Sequence, residues 1–103
     1  MLKYWVWLSE LKGLRNQTRL ALLRRFGDPE SIFYADADEL LLTDGVERSQ
    51  LKLLENHDLA PADRILADCQ RLDIRLLTLS DAAYPGRLKN IYDPPALLYC
   101  KGR

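Results

Sequence analysis

Lys12, Arg15, Arg24 and Arg25 have the residue types and spacing for one kind of chemistry, the neutralisation of phosphate. Lys12-Gly13-Leu14-Arg15-Asn16-Gln17 joins two helical patterns, and a glycine turn of this kind can aim backbone N–H groups at an anion beside the positive end of the second helix. Such hairpins usually carry a second glycine two residues after the first; Arg15 stands there, so a side chain rather than a backbone nest would make the contact. Arg24 and Arg25 share a polar arc with Gln17, Thr18 and Ala21, and with Arg15 they form a candidate stripe along a nucleic-acid backbone. The plainer reading is a helix-joining turn followed by a solvated face whose C-terminal cations suit the helix dipole.

Other constellations carry less. Asp36, Asp38, Glu39, Asp44 and Glu47 have neither the glycine spacing of a calcium loop nor a histidine close in sequence, and read as a soluble face. His57, the single histidine, has no nucleophile near it, because Cys69 falls on an apolar helix stripe. Two cysteines do not make a secreted disulfide framework, and both read as reduced. Trp5, Trp7, Phe33, Tyr34 and Tyr92 are candidate base-stacking platforms, although aromatics more often fill cores. No cofactor or metal is implied.

The elements that position these residues follow from period and punctuation. Leu2, Trp5, Val6, Leu8 and Leu11 recur at helical spacing. Asn16 reads as the cap of a second helix, Gln17 to Phe26, which Gly27 ends. Asp28-Pro29 starts a third through Tyr34; a fourth begins at Asp36 or Asp38 and covers Glu39 to Leu42; a fifth runs from Val46 to Leu54. Asp58 caps a longer helix, Leu59 to Leu72, with Ala62, Ile65, Leu66, Cys69 and Leu72 on its apolar face. Ile74–Leu79 reads as a strand, Tyr84 to Ile91 as one or two helical turns, and Ala96 to Lys101 as a neighbouring strand after Asp93-Pro94-Pro95. The fold class is mainly α: short helices over 1–72, then a strand-helix-strand segment over 73–103. Two strands joined by a helical crossover leave bare sheet edges, so the chain reads as the N-terminal part of a longer protein.

At 48% hydrophobic and 29% charged, the composition is that of a folded globular chain. The formal net charge is zero, so no global field points to nucleic acid or membrane. Its distribution is uneven: residues 1–27 hold six Lys/Arg against one Glu, and 28–58 hold nine acids against two bases. No apolar run approaches a membrane span, and no leader pattern precedes Ser9, so the expected location is cytoplasmic.

The stretch YPGRLKNIYDPPALLYCKG, Tyr84 to Gly102, resembles the YPxxLxxIxDPPxxLYxxG signature of the DNA-processing protein A family (DprA/Smf). GLRNQTRLALLRRFGDPESIF is similar to the GIGxxTxxxLLxxFGSPEAxx of that family's helical domain, so the likeness spans essentially the whole chain. It implies a SAM-like or helix-hairpin-helix domain followed by the start of an extended Rossmann-like domain. It also implies a non-enzymatic role in binding single-stranded DNA, self-association and loading of the recombinase RecA in natural transformation. The family's Gly-Ser-Arg motif follows the quoted stretch and falls beyond Arg103, so its DNA surface maps onto no residue here. Two other classes stay open. One is a protein–protein interaction module without DNA contact. The other is an enzyme fragment, against which Ser80-Asp81-Ala82-Ala83 stands where a Gly-rich phosphate loop would follow the first strand. For the first reading, about three phosphate contacts would lose roughly twentyfold in affinity between 50 and 200 mM salt.

Overall fold

The computed structural model describes residues 2–101. Seven helices and two strands follow one another in the described residues: α1 (Leu2–Glu10), α2 (Asn16–Phe26), α3 (Pro29–Phe33), α4 (Ala37–Leu41), α5 (Arg48–Leu54), α6 (Ala60–Arg71), β1 (Ile74–Thr78), α7 (Gly86–Lys89) and β2 (Leu97–Lys101). The chain is mainly α with a two-stranded sheet. Gly102, which closes the family-like stretch, lies outside the described residues.

Local chemistry ends several helices where the sequence indicates. Gly27 takes φ +90° and donates its N–H to the Leu23 carbonyl, a backbone that only glycine adopts cheaply. The Asp28 carboxylate accepts from Ser31 N–H at 2.8 Å, and this bond holds its pKa below the usual range. Asp58 accepts from Ala60 N–H at 3.0 Å just before α6, but the capping position belongs to Leu59, one residue later than the sequence indicates, and no side chain caps it. Asn16 differs: it is the first residue of α2, the capping position belongs to Arg15, and its side chain does not cap. The fifth helix starts at Arg48 rather than Val46, because Val46 closes the preceding turn by donating its N–H to Thr43.

One core gathers Trp5, Leu8, Leu22, Ile32 and Leu54 from the helices with Ala96 and Leu97 from the C-terminal segment. The residues at 96 and 97 therefore complete the helical core. On α6, Ala62 and Cys69 are buried and Ile65 and Leu66 half-buried, but Leu72 is 46% exposed. It is the C-terminal cap of α6, its N–H still bonded to the Asp68 carbonyl but its backbone already leaving the helix, and its side chain does not join the buried stripe. Cys69 is 6% exposed. Thiol reagents will accordingly leave it unlabelled in the native state and label it on denaturation; rapid stoichiometric labelling of native Cys69, mapped by mass spectrometry, would refute this packing.

β1 and β2 are neighbours, as the periodicity predicts, but they are antiparallel, with Ile74 opposite Lys101 and Thr78 opposite Leu97. The expected crossover between them is thereby corrected. A crossover must carry the chain back along a strand of about 17 Å, and the single turn of α7 rises only about 6 Å. The connection instead folds on itself: Tyr84 is buried and donates its hydroxyl to the Pro95 carbonyl at 2.7 Å, and Asp81 accepts from Thr78 N–H at 2.8 Å.

Candidate nucleic-acid and docking surfaces around α2

The turn between α1 and α2 is closed from within the molecule. Gly13 takes φ +88°. Its carbonyl accepts from Gln50 Nε2 at 3.3 Å, while Gln50 Oε1 accepts from Arg15 N–H at 3.1 Å. Gln50 is buried on α5, so one amide satisfies both sides of the turn. The Arg15 N–H that a phosphate would use is already bonded. Sequence reading passed over Gln50, yet a signal is present: Val46, Gln50 and Leu54 fall at i, i+4, i+8, and a polar residue at the centre of an apolar stripe asks for a partner.

The beginning of α2 also holds an internal anion. Asn16 Nδ2 donates to Asp93 Oδ1 (2.9 Å) and to the Pro94 carbonyl (2.9 Å), and Gln17 Nε2 donates to Asp93 Oδ1 (2.7 Å) and the Tyr92 carbonyl (3.0 Å). The Asp93-Pro94-Pro95 segment is thus fastened to the helix that a helix-hairpin-helix reading assigns to DNA.

The four predicted phosphate contacts divide into pairs. Arg15 Nη2 donates to the Gly45 carbonyl at 3.0 Å and to Glu47 Oε1 at 3.3 Å. Arg25 donates to the Glu39 carbonyl, to Thr43 Oγ1 at 3.1 Å and to Glu39 Oε1 at 3.2 Å. The basic first segment and the acidic second segment therefore neutralise one another at two of the four positions. Lys12 and Arg24 are exposed, and neither enters an ion pair among the described residues. The structure does not assemble Lys12, Arg15, Arg24 and Arg25 into one free stripe.

Arg19, on the same helix, is buried and makes no ion pair among the described residues. It is 9% exposed, and its Nε donates to the Leu8 carbonyl at 2.7 Å and its Nη2 to the Leu11 carbonyl at 3.0 Å. Burial lowers its pKa, while Glu10 and Asp93 favour its charged form. It acts as a C-terminal cap for α1 supplied by α2, placing a cation at the Leu8 carbonyl of the last turn and at the Leu11 carbonyl just beyond it, which also accepts from Leu14 N–H at 3.4 Å.

Of the candidate stacking residues, Trp5, Trp7 and Phe33 are core, with Trp7 Nε1 donating to the Asn56 carbonyl at 2.7 Å. Tyr34 and Tyr92 are exposed. His57 lies with its ring centroid 4.3 Å from that of Phe33, and Cys69 is buried on α6. Among the described residues no cluster of His, Cys, Asp and Glu has the arrangement to hold a metal ion, and no helix is long and apolar enough to cross a membrane. Comparison with protein-family models, with curated proteins and with solved structures finds no match for this chain.

Proposed function

We propose that this chain is the N-terminal accessory region of a single-stranded-DNA-binding recombination mediator of the DprA/Smf type, with a SAM-like helical part that acts as a platform for the segment following it. The observation that supports the reading is the clamp between Asn16, Gln17 and Asp93. Its residues come from the two stretches that resemble the family, and it joins them in one contact. On this reading RecA loading and DNA uptake belong to the longer protein, the location is cytoplasmic, and the chain has no catalytic residue of its own.

The DNA contact of this region is weak. With Arg15 and Arg25 engaged, Lys12 and Arg24 remain as the free members of the predicted stripe. At about −0.7 per phosphate, two contacts lose roughly sevenfold in affinity between about 50 and 200 mM salt. Titration of labelled oligothymidylate at both salts will show this, with Arg24→Ala reducing the salt slope to about half. Tight, salt-insensitive binding would refute it.

A second reading, a docking module without DNA contact, is favoured by the closed turn at Gly13 and Arg15. Absence of oligonucleotide binding at low salt would select it.

A further inference from the structure

Between α2 and the connection from β1 to β2 lies a cavity of about 350 Å³, at the lower end of the roughly 300–1,000 Å³ typical of ligand sites. Its floor is apolar, formed by the buried Trp5, Leu20 and Leu23 with the half-buried Leu79. Its charged lining residues are Arg24 and Lys89, both exposed, and no carboxylate lines it. Asp93, next in sequence to the lining residue Tyr92, is drawn off to Asn16 and Gln17. Among the described residues neither Arg24 nor Lys89 makes an ion pair. Tyr92 is 85% exposed at this site.

We propose that this cavity binds an acidic peptide, with an apolar side chain seated over Trp5, Leu20 and Leu23 and its flanking carboxylates meeting Arg24 and Lys89. An apolar floor under two free cations matches a ligand that couples an apolar anchor to one or two negative charges. A polynucleotide fits less well. It needs a continuing track of cations, and the track along α2 is interrupted where Arg15 and Arg25 turn to Glu47 and Glu39. The inference rests on the docking reading: a failed oligonucleotide titration leaves it standing, whereas an oligonucleotide held by Arg24 would compete for the same cation.

The test is a titration of the isotope-labelled chain with a blocked Glu-Asp-Glu-Phe peptide, followed by NMR at the Trp5 indole N–H and the backbone amides of Leu20, Leu79 and Lys89. Saturable shifts at these positions are expected. Replacing Phe in the peptide by Ala removes the anchor and weakens binding about tenfold or more. Arg24→Ala and Lys89→Ala, both at exposed positions and so neutral for folding, each weaken it about three- to fivefold. Equal binding by the Ala peptide would reduce the effect to bare charge attraction and overturn the proposal. So would the absence of shifts at these residues, or displacement of the peptide by oligothymidylate acting on the same amides, which would make the cavity a nucleic-acid site.

Discussion

Arg19→Met will lower the free energy of unfolding by about 2–4 kcal/mol, the net loss of two buried charge-assisted hydrogen bonds less the recovered cost of burying the ion. Methionine replaces much of the aliphatic stem, so the change removes mainly the guanidinium. What it leaves is the pair of carbonyls at Leu8 and Leu11, which accept from Arg19 at 2.7 and 3.0 Å and face a buried site. The last turn of α1 holds no basic residue to take the place of the guanidinium. Arg19→Lys keeps the charge but offers a single point donor in place of a fork that bridges two acceptors, so about half the loss returns. Urea unfolding followed by far-UV circular dichroism checks both. The midpoint will fall with an unchanged slope. A variant within about 0.5 kcal/mol of the parent, the range of an ordinary surface substitution, would show that Arg19 does not cap α1.

Gly45→Ala will cost about 2–3 kcal/mol, through two separable terms. Gly45 takes φ +85°, where an L side chain is strained. An added Cβ would also stand 2.9 Å from Thr18 Oγ1. That hydroxyl donates to the Gly45 carbonyl at 3.2 Å, the same oxygen that accepts from Arg15 Nη2. The added methyl thus pushes apart the joint between α2 and the turn before α5. In a Thr18→Ala background the contact is gone and the backbone term remains, so there Gly45→Ala will cost only about 1–2 kcal/mol. Equal costs in both backgrounds would show that the approach to Thr18 is not tight. Thermal unfolding of the four proteins completes the cycle.

The features legible in the sequence are those whose causes lie within a few residues. Asp28 caps α3 because its acceptor and the Ser31 N–H are three positions apart, and Gly27 ends α2 through its own φ. Cys69 falls on the buried stripe of α6 because the helical period places it there. Asn16 shows where this stops. By local chemistry it is a good cap, but its amide meets Asp93, 77 residues on, and a helix can forgo a side-chain cap when a better partner arrives from elsewhere. The candidate stripe is divided into paired and unpaired cations for a similar reason. The segregation of bases before residue 28 and acids after it is plain in the sequence, but which arginine meets which glutamate is decided by how α4 and the turn at Gly45 fold against α2. The placement of Arg19 on an apolar arc was readable, whereas its acceptors are main-chain carbonyls, which no residue type announces. The antiparallel order of the strands was hidden in the same way, because the pattern that marks a strand is blind to its direction.

The clamp at Asp93 sets a schedule for the growing chain. Gln17 and its partner are 76 residues apart, and at about 5–20 residues per second the ribosome needs roughly 4–15 s to make the second after the first. Throughout that interval α2 has no Asp93 to hold, and the place in the core later filled by Ala96 and Leu97 lies open to water. The nascent helices are then at their most adhesive, and a shortened chain ending before residue 93 would keep them so, as a target for chaperones and proteases.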